Sequence, residues 1–180
     1  TNGGGDGNGG IYKSTDNGVS WVKLSSAPLP ITNVLDIRLS HTAINSNIVC
    51  ASVVRMDNHS MLGIYKTTND GASWTNISPT TNVHGTQGSQ HNDIRISPLN
   101  ANSIILAGVG IMRSTNGGTN WSYYNGVADL HADVHYIHWT TGNTVYIAGD
   151  GGLSTSSDGG NNWSTSTNIY PITQVYTVAT

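Results

Sequence analysis

The sequence predicts an all-β protein, specifically a β-propeller built of four-stranded antiparallel blades. Gly, Asn, Ser and Thr make up roughly half of the chain, a composition that favours strands joined by turns over helices. A short motif ending in tryptophan occurs four times, with its tryptophans at positions 21, 74, 121 and 163. The spacings of 53, 47 and 42 residues are typical of a unit of four short strands, which predicts a repeated blade.

The repeated motif is an octet of the form Ser/Thr-x-Asp/Asn-x-Gly-x-x-Trp, which we call the box turn. It occurs at residues 14–21, 67–74, 114–121 and 156–163. The hydroxyl and the Asp or Asn oxygen can accept backbone N–H bonds within a tight turn, and glycine adopts positive φ without a steric penalty. The tryptophan then covers the turn with a large apolar surface. We therefore predict a structural role for Ser14, Asp16, Gly18, Trp21, Thr67, Asn69, Gly71, Trp74, Ser114, Asn116, Gly118, Trp121, Ser156, Asp158, Gly160 and Trp163.

The best-defined repeat also predicts the order of the strands. Alternating and apolar runs indicate strands at 34–40, 47–54, 63–68 and 74–78, so the box turn joins the third strand to the fourth. The same order recurs in the two repeats that follow. The predicted units are a partial blade at 1–33, blades at 34–81, 82–126 and 127–169, and the first strand of a further blade at 170–180.

The partial units at the two ends allow two arrangements. Residues 1–33 supply the second half of a repeat and 170–180 resemble an opening strand. Together they could complete one blade and close a small ring, since propellers have about 4 to 8 blades. We expect instead that the sequence is a segment of a larger propeller.

The composition excludes two classes of partner. The formal charge is −3 and only 9% of the residues are charged, so no basic surface for nucleic acid is expected. No apolar run is long enough for insertion into a membrane. The one cysteine, Cys50, lies in an apolar run and is predicted to pack in a core.

The segment GIYKSTDNGVSW, residues 10–21, resembles the Asp-box, or bacterial neuraminidase repeat. The longer stretch 93–121 is similar to secreted propeller proteins of the sortilin-like and glycosyl-hydrolase-like types, which include xyloglucanases and sialidases. The resemblance covers essentially the whole chain and implies an extracellular or cell-surface location. Because the same repeat serves hydrolases, receptors and assembly factors, it indicates the fold far better than the function.

The resemblance also implies where ligands would bind. In that family the box turns lie at the outer part of each blade, on the face opposite the ligand-binding side. Ligand contacts are therefore expected from the loops entering each first strand and from those joining the second strand to the third. The His and Asp residues of these regions are the candidates for the binding face: His91, Asp93, His131, Asp133, His135, Asp57, His59 and Asp150.

Three of these candidates could hold a divalent metal ion. Alternation along a strand would place His131, Asp133 and His135 on one side, because side chains two residues apart point the same way. Imidazole and carboxylate groups are zinc ligands, and a residue from an adjacent blade could complete the set. A Gly-rich turn containing Asp6 is a weaker candidate for calcium.

The same polar rows have a structural alternative. The pairs Asp36 and Arg38, Asp93 and Arg95, and Asp133 and His135 alternate along successive first strands. They would then form ion pairs and hydrogen bonds between blades, which satisfy buried polar groups. This alternative needs no ligand.

A glycoside hydrolase usually needs two carboxyl groups across the scissile bond. All ten acidic residues of this chain are Asp, and we take Asp93 and Asp133 as the catalytic candidates. A sialidase-type site would need an arginine triad and a Tyr nucleophile with a Glu partner, and the sequence has no Glu. No xyloglucanase catalytic motif can be transferred by position.

We therefore expect a secreted or surface-displayed propeller that binds a glycan or a protein, or acts as a scaffold. The first alternative is part of a carbohydrate-active glycoside hydrolase whose site includes further blades. The second is a structural subunit of a surface assembly, in which further blades of the same chain or of another subunit cover the exposed strand edges.

Overall fold

The computed structural model describes residues 9–124 and 130–165. Within these ranges the chain forms antiparallel strands and no helix, in agreement with the predicted all-β class. The described residues accordingly contain no helix that is long and apolar enough to cross a membrane. Segments 1–8, with Asp6, and 170–180, the predicted opening strand, lie outside the described residues.

The strands form four sheets, which we number as blades one to four in chain order. Blade one is a two-stranded sheet, and the other three have four strands each. Blade one contains β1 (Ile11–Lys13) and β2 (Val22–Leu24), and blade two contains β3 (Val34–Thr42), β4 (Asn45–Arg55), β5 (Met61–Thr67) and β6 (Thr75–Asn76). Blade three contains β7 (Asp93–Ile96), β8 (Ile104–Ala107), β9 (Ile111–Ser114) and β10 (Ser122–Tyr123), and blade four contains β11 (Val134–Trp139), β12 (Val145–Gly149), β13 (Gly152–Ser156) and β14 (Ser164–Thr165).

Within each sheet, each strand pairs with the next along the chain, as the repeat predicts. The sheets of blades two, three and four fall within the predicted ranges 34–81, 82–126 and 127–169. The box turns connect the third strand of each of these sheets to the fourth. The first strands β3, β7 and β11 are neighbours, so the blades lie side by side with β7 in the middle.

All four box turns share two internal hydrogen bonds. In the first, Gly18 N donates to Ser14 Oγ over 2.8 Å and Ser20 N donates to Asp16 Oδ1 over 2.9 Å. The bonds to Ser20 and Ser14 lower the pKa of Asp16 to about 2. The remaining turns repeat both bonds, with glycine donors Gly71, Gly118 and Gly160 at 3.0, 2.8 and 2.8 Å and second donors Ser73, Asn120 and Asn162 at 2.9, 2.8 and 2.9 Å.

An apolar core fills each space between neighbouring blades. Trp74 packs with Ile11 of blade one, and Trp163 packs with Ile105 of blade three. The cluster between blades two and three contains Cys50, which is fully buried as predicted. Burial raises the pKa of its thiol to about 12.

Polar side chains link the first strands of neighbouring blades where no backbone ladder joins them. From blade two, Thr42 Oγ1 donates to Ser97 O over 2.8 Å, and Ser40 Oγ accepts from Ile96 N over 3.0 Å. These bonds satisfy backbone groups that are buried between the sheets, which fixes the inner strands relative to one another.

Candidate functional site: a polar cleft between blades three and four

A cleft of about 460 Å³ lies beside the first strands of blades three and four. Its walls carry two amides, two imidazoles and two carboxylates. These groups can donate and accept hydrogen bonds, as a polar ligand requires. The lining residues are Gln87, Gln90, His91, Asp133, His135 and Asp150.

One wall comes from the segment that leads into β7. Gln87 N donates to His84 O over 3.0 Å, and His91 N donates to Gln87 O over 3.0 Å, which folds the segment into consecutive turns. His84 anchors these turns because it is fully buried, and burial lowers its pKa to about 4. The turns therefore hold Gln87, Gln90 and His91 on one side of the cleft.

The other wall comes from the start of β11 and the turn between β12 and β13. Asp133 has a φ of 63°, and Asp150 N donates to Asp133 O over 3.1 Å. A methyl group added at Gly149 would lie 2.5 Å from Asp133 O, so this close approach requires glycine. The backbone thus brings both carboxylates to the same wall.

Two His–Asp pairs lie in the cleft, one within blade four and one that spans blades three and four. His135 Nε2 lies 2.7 Å from Asp150 Oδ1, and His91 Nε2 lies 3.7 Å from Asp133 Oδ1. The two imidazole rings are 4.8 Å apart between centroids and tilted by 47°. The buried atoms His91 Nδ1 and Asp133 Oδ1 have no hydrogen-bond partner among the described residues.

A second cleft of about 370 Å³ adjoins the first through His135. It runs between β3, β7 and β11 and is lined by Arg38, Arg95 and Tyr136, among others. The Tyr136 side chain is half exposed, and the Arg95 guanidinium lies 5.2 Å from the ring centroid. An exposed aromatic ring therefore stands next to the polar cleft.

Asp93 has a structural environment. Its carboxylate accepts from Ile94 N over 2.9 Å and from Ile137 N of blade four over 2.7 Å, and it pairs with Arg95 at 2.7 Å. Arg95 Nε in turn donates to Ile137 O over 2.9 Å. Burial raises the pKa of Asp93 despite the nearby guanidinium. The two side chains bond both backbone groups of Ile137, which is the blade-to-blade contact described by the structural alternative.

Three sequence-predicted binding residues do not line either cleft. Asp57 accepts two bonds from Arg55, which lower its pKa to about 2. His59 lies in the β4–β5 turn, with its Nδ1 3.1 Å from Ser89 Oγ. His131 packs its side chain against Gly151, and its Nδ1 lies 2.7 Å from Ala132 O. The cleft thus unites His91, Asp133, His135 and Asp150, while Asp93 lines the second cleft.

The predicted ligand group of His131, Asp133 and His135 does not assemble. Strand β11 begins at Val134, after the left-handed Asp133, and its pairing with β12 shifts register near Tyr136. Strict alternation therefore fails at these positions. Within 9–124 and 130–165, no three His, Cys, Asp or Glu side chains are placed to hold one metal ion.

Two cleft residues were missed from the sequence. Gln87 and Gln90 lie in the polar loop that enters β7, beside titratable residues that carry a stronger chemical signal in the sequence. The glutamines themselves carry no motif. Their placement depends on the turns anchored by His84, which sequence spacing does not show.

Solved structures similar to this chain are β-propeller proteins. The GH74 enzyme of Niastella koreensis matches with a TM-score of 0.66 and 20% identity, over 87% of this chain and 26% of that chain. The GH74 xyloglucanase from Xanthomonas campestris matches with a TM-score of 0.68 and 14% identity, over 91% and 28%. YCF48 bound to D1 peptide matches with a TM-score of 0.52 and 17% identity, over 73% and 40%.

These comparisons bear on the fold alone, because the identities are low and this chain spans 26% and 28% of the two GH74 enzymes. No protein-family model matches the sequence. No curated protein matches it either. The four sheets and the similar structures together establish that the chain is built of β-propeller blades.

Proposed function

We propose that this chain is part of a secreted Asp-box propeller that binds a glycan in the cleft between blades three and four. The observation that carries the proposal is the lining of the cleft, six polar side chains of three hydrogen-bonding types. Sugar hydroxyls both donate and accept, so amides, imidazoles and carboxylates suit them together.

The adjoining second cleft supports the same class of ligand. Tyr136 is 52% exposed and stands beside His135, which lines both clefts. A sugar ring that bonds His135 could also stack its apolar face on this tyrosine, because aromatic rings combine an apolar body with defined geometry. A polar pocket next to one exposed aromatic ring is the arrangement expected for an oligosaccharide rather than for an apolar ligand.

The similar structures include both carbohydrate-active and peptide-bound proteins. One is named a xyloglucanase and another is YCF48 with a bound D1 peptide. The four box turns resemble Asp-boxes of secreted propellers, which supports an extracellular location. We favour the glycan because the six residues that line the cleft all have polar side chains, whereas peptide side chains are commonly anchored by apolar and aromatic residues.

A binding screen tests the proposal directly. Immobilised glycans, with xyloglucan and β-glucan oligosaccharides among them, would be probed with the purified chain, and affinities then measured by calorimetry. The variant Gln90→Ala should weaken binding about tenfold through the loss of one hydrogen bond.

The matched control removes an amide away from both clefts. Asn120 is exposed in the third box turn, and its contact with Asn116 uses the backbone N–H, which alanine keeps. Asn120→Ala should therefore leave the affinity unchanged. Binding to peptides alone, or equal effects of both variants, would contradict the proposal.

A hydrolase is the second candidate, because Asp133 and Asp150 line the same cleft. One carboxylate could act as acid and the other as base or nucleophile, as two-carboxylate glycosidases require. Asp93, a candidate from the sequence, has both oxygens engaged by backbone groups and Arg95. Hydrolysis would be supported if the chain released reducing ends from bound oligosaccharides and if Asp150→Asn abolished this release while it kept the binding. If the wild-type chain binds the oligosaccharides without releasing reducing ends, the chain is a binding module.

A further inference from the structure

The three interfaces between neighbouring blades share a contact at one repeat position. The residue three positions after each of the first three box tryptophans contacts the box glycine of the next blade, through apolar packing at two interfaces and a hydrogen bond at the third. A methyl group added at Gly71 would lie 2.8 Å from Leu24 Cδ1, and one at Gly118 would lie 2.6 Å from Ile77 Cδ1. At the third interface, the Tyr124 hydroxyl donates to Gly160 O. Leu, Ile and Tyr thus occupy one repeat position and meet one kind of surface.

A cation immediately before each of the first three box turns adds a second shared contact. Lys13 Nζ donates to Asp70 O over 3.0 Å and also pairs with the Asp70 carboxylate. Lys66 Nζ donates to Ala101 O over 3.2 Å. Arg113 Nη1 donates to Asn161 Oδ1 over 2.7 Å. Each blade therefore presents a cation and a large apolar side chain to the blade that follows it.

The first box turn has the receiving surface for this contact, but nothing described covers it. Gly18 is exposed, whereas Gly71, Gly118 and Gly160 are buried. Trp21 is 61% exposed, whereas Trp74 is 6% exposed. We call the surface formed by Gly18 and Trp21 the open face. Among the described residues, a methyl group added at Gly18 would meet only Trp21 of its own turn, and the Trp21 indole N–H donates to Gly18 O over 3.1 Å. In the third box turn the Trp121 indole N–H donates instead to Ile77 O of the preceding blade over 2.7 Å.

The last blade lacks both residues that the open face would receive. Thr155 stands immediately before the fourth box turn, where the earlier blades have Lys or Arg. Ser166 stands three residues after Trp163 in the sequence, where they have Leu, Ile or Tyr. Ser166 lies outside the described residues, and its part in the comparison rests on the repeat alone. A second copy joined head to tail, or closure of this chain on itself, would therefore lack both shared contacts.

We propose that the open face docks a further blade of the same repeat type, one that carries Lys or Arg immediately before its box and a large apolar residue three positions after its box tryptophan. This blade is none of the four in residues 1–180. The glycine and tryptophan receive the large side chain. The cation is received by polar groups in the turn or beside it, as it is by Asp70, Ala101 and Asn161 at the three interfaces within the chain. The proposal is independent of the glycan site.

The first experiment tests whether the two shared residues are needed for docking. Lys13→Thr with Leu24→Ser gives blade one the two residues of blade four. Hydrogen exchange should then show blade one detached, with protection of β1 and β2 reduced at least tenfold while blades three and four keep theirs. The matched control, Lys23→Thr with Val22→Ser, makes the same types of change at the two residues of β2 that precede Leu24. This control should leave the protection of β1 and β2 intact. Unchanged protection in the first variant would overturn the proposal.

The second experiment transfers the two residues to blade four. A donor chain carries Thr155→Arg and Ser166→Tyr, with Trp21→Ser to block its own open face, and it is mixed with the wild-type chain. Light scattering should show a 1:1 complex, weakened at least tenfold when the acceptor also carries Trp21→Ser. A second donor with Thr155→Lys and Ser166→Leu guards against a folding defect in the first.

Failure of both donors to bind would overturn the proposal. Equal binding by a donor that carries Trp21→Ser alone would also overturn it, and this result would indicate a second copy as the partner.

Discussion

The box turns and the polar cleft use similar side chains, yet their contacts differ in range. In the first box turn, Ser14 and Asp16 bond to groups two to four residues away. In the cleft, His135 of β11 contacts Asp150 of the β12–β13 turn, fifteen residues away. His91 contacts Asp133 of the next blade. A box turn can therefore form from its own octet, whereas the cleft exists only when blades three and four are correctly packed.

The carboxylates of the box turns also differ from the buried carboxylate Asp93 of the inner strands. Asp158 in a box turn has its pKa lowered to about 2, chiefly by hydrogen bonds from Asn162. At the inner strands, burial raises the pKa of Asp93. Local hydrogen bonds stabilise the charged form of Asp158, whereas burial between blades disfavours the charged form of Asp93. The outer turns and inner strands should thus respond differently to mutation and to pH.

The largest expected effect comes from a box tryptophan that lies between blades. Trp74→Ala should lower the free energy of unfolding by about 4 kcal/mol, because it removes a buried indole from the core between blades one and two. Trp21→Ala is the matched control at the open face and should cost about 0.5 kcal/mol or less. Urea unfolding followed by circular dichroism measures both. Equal costs would mean that the box tryptophan acts within its own turn.

A smaller loss is expected at the inner strands. Asp93→Ala should cost about 3 kcal/mol, because it leaves Ile137 N without its acceptor and Arg95 without its ion pair. The Arg95 bonds to the carbonyls of Ile94 and Ile137 limit the loss. Asp93→Asn, which keeps one acceptor oxygen, should cost about half as much. Urea unfolding of the three proteins gives the comparison, and a cost for Asp93→Ala within error of zero would refute the proposed link between blades.

The smallest effect is the acid response of the box turns. Asp16 and Asp158 have pKa values lowered from 3.8 to about 2 in the folded state. Between these values the unfolded chain binds more protons, so the stability they contribute is present above about pH 4 and is lost as the pH falls towards about 2. Asp16→Asn with Asp158→Asn should therefore flatten the decline of the melting temperature between about pH 4 and about pH 2. The wild-type box turns with Asn69 and Asn116 already lack this titration, and an unchanged slope in the variant would contradict the assignment.

The range of the contacts explains which features the sequence predicted. Each box turn could be read from eight consecutive residues, and the strand order followed from its repetition. The encounter of His91 with Asp133 could not be read this way, because it depends on how β7 and β11 pack. The prediction for His131 failed for a local reason, the left-handed backbone at Asp133, which breaks the strand alternation.

The position of Asp93 illustrates a further limit. Its alternation with Arg95 was visible in the sequence and allowed either a ligand site or a link between blades. The bonds from both side chains to Ile137 of the next blade favour the link, and only the register between the two blades reveals them. The open face was equally invisible, because the octet at 14–21 has the same pattern as the three whose glycines are buried.

The central claim, that the cleft between blades three and four receives a glycan, is tested most directly by the imidazole signals of the seven histidines. Two-dimensional NMR would follow them during titration with the oligosaccharide that binds best in the screen. The account predicts that the signals of His91 and His135 shift, while that of His41, which lines neither cleft, stays in place. If the oligosaccharide binds but the signals of His91 and His135 do not shift, the ligand lies elsewhere and the account is contradicted.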